Sequence, residues 1–203
     1  MIAIIDYKAG NLKSVERALR YLGVACRITN NHSDIISSDR VIFPGVGAAG
    51  NTMEVLRSLN LDRVIREVVR HKTPFLGICL GAQIILETSE EDDADCLNLI
   101  AGRVKRFTEM GLKIPHMGWN SISIEREHPI LKDINPEAQF YFVHSYYPEP
   151  LDREHIIATT HYGIPFASII GRDNVVATQF HPEKSGRFGL HMLKNFIEWN
   201  VTC

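Results

Sequence analysis

The apolar positions of the chain follow two patterns. In the first half, short unbroken apolar runs alternate with stretches whose apolar residues recur at a spacing near 3.6. Ile2-Ala3-Ile4-Ile5 reads as a buried strand, and Leu12, Val15, Ala18, Leu19 and Leu22 mark one face of the helix after it. Asn11 stands where an N-cap is expected, and Gly23 where that helix ends. Val24 to Ile28 and Val41-Ile42-Phe43 predict two further strands. Thr52 to Leu59 predicts a weak helix, Leu61 to Arg70 a stronger one, and the run from Pro74 another strand. Strands and helices in this order predict an α/β fold, a three-layer doubly wound sheet that is mostly parallel.

The second half has the other pattern. Ser121 to Ile124, Phe140 to Val143, Ile156 to Thr159 and Val175 to Thr178 are short strand-like runs separated by proline, glycine and charged turns, which predicts a mixed or antiparallel part of the sheet. Leu190, Leu193, Phe196 and Ile197 place one face of a last helix over Phe188 to Trp199. The acidic run Ser89 to Asp95 lacks the glycine and spacing of a calcium loop and reads as a solvated loop.

Composition narrows the function. A chain of 203 residues with 45% hydrophobic content can bury one sizeable core, so a single domain over residues 1–203 is expected. A net charge of -2 without a basic cluster gives no electrostatic footprint for nucleic acid or a membrane surface. No apolar run reaches the roughly 18 residues of a membrane span, and the N-terminus has no signal-peptide pattern, so a cytoplasmic protein is expected. Cys26, Cys79, Cys96 and Cys203 lack C-x-x-C spacing, which argues against a disulfide framework or a zinc site.

The chemistry centres on Pro74 to Glu87. Gly77-Ile78-Cys79-Leu80-Gly81 joins a predicted strand to a predicted helix with the layout of a nucleophile elbow, sulfur replacing oxygen. Glycines are needed there because a Cβ would collide with the closely packed neighbours. Helix N–H groups and the positive end of the dipole favour a thiolate at Cys79. The same five residues also describe a buried core cysteine between glycines.

A cysteine nucleophile needs a base and a group to orient it. Among nine histidines, His32, His71, His128 and His155 stand in polar surroundings that suit a surface. His181 ends an apolar run and begins His181-Pro182-Glu183. In extended chain residues two apart share a side, so Glu183 reaches the imidazole. A turn after a strand with a surface glutamate fits the same three residues. For an oxyanion the Leu80 N–H is a natural first donor. Val46 and Gly47, in Pro44-Gly45-Val46-Gly47, are candidates for the second.

IIDYKAGN, FPGVGAAG, LGICLGAQ, PHMGWN, FYFVHSYYP and ATQFHPEKSG occur in an order and spacing that resemble the class I, triad-type glutamine amidotransferases. More closely they resemble the glutaminase subunits of imidazole glycerol phosphate synthase. The resemblance implies that Cys79 is the nucleophile, His181 the base and acid, and Glu183 the orienting carboxylate. It also implies that Gln83 contacts the substrate L-glutamine, that Val143, Ser145 and Tyr146 hold its amino-acid end, and that Asn11, Trp119 and Lys184 face a cyclase subunit. No metal or organic cofactor is implied. Lys8, Ala49 and Ala82 depart from the residues common in that family. A paralogous glutaminase feeding another acceptor, a stand-alone thiol hydrolase and a non-catalytic regulator with a redox-sensitive cysteine are the other readings.

Overall fold

The computed structural model describes residues 1–8, 11–108 and 111–201. Ala9, Gly10 and Cys203, named above, lie outside them.

Period-two alternation in the first strand sets the layers. Ile2 and Ile4 point into one apolar cluster with Val15, Leu19, Leu193 and Phe196 of the helices Leu12–Tyr21 and Gly186–Glu198. Ala3 and Ile5 point into another with Ile35, Met53, Leu56, Val64, Ile65 and Val68, from the helices His32–Ile36, Ala49–Ser58 and Leu61–Arg70. A strand covered on both faces must be apolar at every position, which is why these runs do not alternate.

Between the helical layers lies an eight-stranded sheet. Cys26–Thr29, Ile2–Ile5, Arg40–Gly45, Phe75–Cys79 and Val175–Thr178 are neighbours in that order and all parallel. Ile164–Arg172, Ile156–Tyr162 and Ser123–Ile124 continue it antiparallel. The expected mixed α/β architecture is therefore present, with Val175–Thr178 belonging to the parallel part. Two smaller sheets accompany it. His116–Ser121 pairs with Gln139–His144, and Tyr146–Pro150, Gly102–Arg106, Thr88–Ser89 and Ala94–Asp95 form the other. Ser145 is the single residue between two strands of different sheets, which holds the segment 143–146 in place.

Several elements differ from expectation. The helix expected from Thr52 begins at Ala49, because its first N–H groups find distant acceptors: Ala49 donates to Glu91 Oε2 at 2.9 Å and Gly50 to Asp92 Oδ2 at 3.3 Å. The acidic run is solvated as expected, with Glu90, Asp92, Asp93 and Asp95 exposed, but Glu91 and Asp92 also cap this helix, and carboxylates there complement its dipole. Asn11 occupies the N-cap of Leu12–Tyr21, yet its side chain does not cap, since its left-handed backbone (φ 74°) turns the amide elsewhere. Lys8 also has positive φ, 64°, a conformation that favours glycine. His128 is not a free surface side chain. It caps the turn Pro129–Leu131 by accepting from the Ile130 N–H at 3.1 Å and packs edge-on against Trp199.

Candidate active site

The elbow forms where the central strand Phe75–Cys79 meets the helix Leu80–Ile84. Cys79 has φ 54° and ψ -105°, a backbone strain of about 1–3 kcal/mol for a residue with a Cβ. Packing imposes the strain. A Cβ at Gly77 would lie 2.6 Å from the Gly81 carbonyl oxygen, and one at Gly81 would strike the Phe43 carbonyl oxygen. Both glycines are therefore required by close backbone approach, as the spacing predicts. Gly45, paired with Cys79 across the sheet, is equally confined, because its Cβ would meet Leu80 Cβ at 2.5 Å.

Val175–Thr178 runs beside this strand and delivers His181 to the same end of the sheet. His181 Nδ1 lies 2.8 Å from Glu183 Oε1, and both side chains are buried. The link is not extended chain: Pro182–Lys184 is a 3-10 turn, which curls Glu183 back beneath the ring. The trio stands just past the end of Val175–Thr178, a strand with neighbours on both sides. Glu183 Oε1 also accepts from Asn11 Nδ2 at 2.6 Å, so the amide freed from capping serves the carboxylate. The carboxylate fixes Nδ1 as the protonated nitrogen and leaves Nε2, which has no hydrogen-bond partner among the described residues, for the cavity it shares with Cys79. Burial disfavours imidazolium at His181, but the sulfur of Cys79 and the Glu183 carboxylate outweigh it and raise its pKa.

Cys79 and His181 line a cavity of about 350 Å³. Val46, Gly47, Leu80, Gln83, Val143, Ser145, Tyr146 and Lys184 line it too, so most residues singled out in the sequence converge there. Glu183 supports it from behind through His181. Trp119 lies outside, 54% exposed, on the strand that pairs with Gln139–His144, and it packs edge-on against Tyr141, over whose ring Lys184 Nζ sits at 5.9 Å.

Two features were not foreseen. Glu91, from the acidic run, lines the cavity, and burial raises the pKa of its carboxyl. No local signal marks it, since its role depends on the cap to Ala49. Val46 departs from its expected use as an oxyanion donor, because its N–H donates to the Tyr7 hydroxyl at 2.9 Å. Tyr7 is held there by stacking on Phe43, with ring centroids 4.8 Å apart. Among the described residues no group of three or more His, Cys, Asp or Glu side chains could hold a metal ion, and no helix is long and apolar enough to cross a membrane.

A thiol at a strained elbow, an imidazole and a buried carboxylate together can attack a carbonyl carbon and move protons to and from the leaving group. This fold and site define a thiol-dependent acyl-transfer protein. The sequence family described as "Glutamine amidotransferase class-I" matches residues 3–199. Imidazole glycerol phosphate synthase subunit HisH of Maridesulfovibrio salexigens is 48% identical, with 98% of this chain and 97% of that protein covered. The HisH subunit of Desulfovibrio desulfuricans is 50% identical, covering 98% and 94%. Among solved structures, one described as a glutamine amidotransferase superposes with a TM-score of 0.77 at 16% identity over 97% of each chain. The glutaminase domain of Trypanosoma brucei CTPS, with bound acivicin, gives 0.68 at 16% over 99% and 95%. The chain belongs to the class I glutamine amidotransferases and, within them, to the HisH subunits of imidazole glycerol phosphate synthase.

Proposed function

We propose that the cavity hydrolyses the side-chain carboxamide of L-glutamine and that the ammonia passes to a synthase partner. The observation that carries the reading is the elbow: Cys79, strained at φ 54°, in one cavity with an imidazole whose far nitrogen is held by a buried carboxylate. The Cys79 thiolate attacks the amide carbon, and the developing oxyanion lies against the N–H groups of Leu80 and Gly47. His181 then gives its Nε2 proton to the departing ammonia, leaving a γ-glutamyl thioester. Next it takes a proton from water, which attacks the thioester and releases glutamate. Glu183 stabilises the imidazolium formed in each half-reaction. Glu91 suits the substrate's α-ammonium group, since burial raises the pKa of its carboxyl and a cation beside it favours the charged form.

The relatives' description as subunits of imidazole glycerol phosphate synthase supports a synthase subunit as partner. Exposed Met117 and Trp119, on one face of the strand His116–Ser121, together with Lys184, which makes no ion pair among the described residues, suit that docking. Purified parent chain and Cys79→Ala are compared for ammonia release from glutamine, alone and with the partner subunit. Glutamine-dependent turnover in Cys79→Ala would overturn the reading, whereas synthesis from added ammonium salts is expected to persist.

A further inference from the structure

We infer that Gln179 is a catalytic hydrogen-bond donor to the Cys79 sulfur, and that the Tyr146 carbonyl fixes the direction of that bond through Gln83. The inference rests on the thiol chemistry proposed above and adds a residue to it. Gln179 lies in the ATQFHPEKSG stretch, two residues before His181, and its side chain is fully buried. Its backbone N–H is already committed to the Ser168 carbonyl at 2.8 Å, so only the side-chain amide is free to act.

The direction follows from one oxygen. A backbone carbonyl can only accept, so Gln83, buried beside Tyr146, must turn its amide nitrogen toward that oxygen, at 3.0 Å. The second N–H of the same nitrogen reaches Gln179 Oε1 at 3.1 Å. With its oxygen thus occupied, Gln179 presents Nε2 to Cys79 Sγ, 3.7 Å away. The reverse arrangement would set two N–H groups, or two carbonyl oxygens, against each other in a buried space. The same Tyr146 oxygen also accepts from His144 Nδ1 at 2.7 Å. His144 Nε2 is then an acceptor for His116 Nδ1 at 2.9 Å, and His116 Nε2 for Asn120 Nδ2 at 3.3 Å. Two donor chains therefore converge on one carbonyl and hold it in place.

An N–H bond to a neutral thiol is weak, and to a thiolate it is charge-assisted. Cys79 is only 8% exposed, so water contributes little to holding its charge. Gln179 Nε2 is the side-chain donor that reaches the sulfur, while His181 Nε2 shares the cavity with it without a hydrogen bond among the described residues. The sulfur carries charge twice per turnover, before attack on the amide and again when the thioester intermediate expels it. Loss of the donor thus slows both half-reactions while leaving glutamine binding intact.

Gln179→Met removes the amide donor without adding charge; Gln179→Glu keeps an acceptor for Gln83 but sets a carboxylate beside the sulfur, which by itself also disfavours a thiolate. Alkylation of Cys79 by iodoacetamide is followed against pH at the Cys79 peptide by mass spectrometry, which separates it from Cys26, Cys96 and Cys203 and requires no glutamine turnover. In Gln179→Met the alkylation midpoint is expected to rise by about one pH unit, a factor of ten in thiolate fraction, and in Gln179→Glu by more. With the partner present, kcat is expected to fall about tenfold or more while KM for glutamine stays within about twofold, the pattern for an interaction made to the reacting group and not to bound substrate. A midpoint and kcat unchanged in either variant would overturn the inference and leave Gln179 a packing residue. Failure of the parent to turn over glutamine would instead count against the proposed function, with the alkylation midpoint still deciding the role of Gln179.

Discussion

The Tyr7 hydroxyl closes a two-bond ring on Val46, accepting from its N–H at 2.9 Å and donating to its carbonyl at 3.1 Å. Both polar groups of the residue expected to help hold the oxyanion are thereby committed to one side chain. Burial pushes the Tyr7 hydroxyl up to about 12, so it keeps its proton at neutral pH and can serve as donor and acceptor at once. Of the glycines around this loop, Gly45 is locked by Leu80 and Gly50 is already helical, whereas Gly47 has φ 107° and open space where a Cβ would be. The freedom for a peptide rotation is concentrated at residues 46 and 47.

Tyr7→Phe keeps the ring stacked on Phe43 and removes both bonds to Val46. If those bonds restrain the loop, glutaminase activity without the partner should rise several-fold, the scale of one or two neutral hydrogen bonds at about 1 kcal/mol each. Activity with saturating partner should change little. An unchanged or lower activity of the free chain would show that Tyr7 supports the loop and does not restrain it.

Glu183 Oε1 accepts from both His181 Nδ1 and Asn11 Nδ2, which predicts graded losses. His181→Ala removes proton transfer, worth roughly 10²–10⁴ in rate. Glu183→Gln should cost less, and Asn11→Gly about tenfold in kcat, glycine being chosen because it accepts the positive φ of this position. Steady-state kinetics at saturating partner separate the possible roles of Asn11. Full recovery at saturation would reduce Asn11 to a docking residue.

The strands Ile2–Ile5 and Val175–Thr178, the helix Leu61–Arg70 and the elbow were all legible because local pattern determines them. Elements whose signal is broken locally were not. Ile164–Arg172 and Tyr146–Pro150 contain Pro165, Gly171, Pro148 and Pro150, which interrupt a strand pattern, and Gly102–Arg106 carries three cations in five residues. His32–Ile36 is too short to show a period. In the site, the cysteine, histidine and glutamate could be read from motif and resemblance. Long-range pairing was hidden: Glu91 with Ala49, Tyr7 with Val46 and Asn11 with Glu183 are each separated by tens of residues or more. Nothing in a helix-cap asparagine or an acidic loop announces such a partner.

Buried histidines outside the triad set the acid limit of stability. Burial lowers the pKa of His144 to about 3, despite the Tyr146 carbonyl, and those of His116 and His128 to about 4. Each is neutral when folded and takes a proton when unfolded below about 6.5, so the unfolded state binds more protons and stability falls as pH falls through that window. His144 alone contributes about 1.4 kcal/mol per pH unit there. The raised pKa of His181 acts in the other direction: its stabilisation is complete below about 6.5 and is lost only as pH rises through the folded value, so it does not offset the acid limb. Urea unfolding at pH 7 and pH 5 should show the loss, and His144→Gln, which does not titrate, should flatten it. Equal stability at the two pH values would contradict the neutral His144.

Glu91 gives the most direct test of how the cavity recognises its substrate. Its carboxylate accepts from the Ala49 N–H and borders the cavity that holds Cys79, whereas Lys184, on the same cavity, is a cation. An L-amino acid presents one group of each sign, and the carboxylate is the part of this pair that suits an ammonium. Glu91→Gln preserves an oxygen for the Ala49 N–H, so the helix cap survives, and removes only the charge. KM for L-glutamine should rise by about tenfold or more with kcat much less affected, as for loss of binding shared by ground and transition states. A substrate lacking the α-amino group, 4-carbamoylbutanoate, makes the assignment specific. The parent should prefer L-glutamine strongly over it, and Glu91→Gln should have lost most of that preference because neither substrate then gains an ion pair. If Glu91→Gln discriminated between the two as well as the parent does, the α-ammonium would be bound elsewhere and Glu91 would remain a helix cap at the rim of the site.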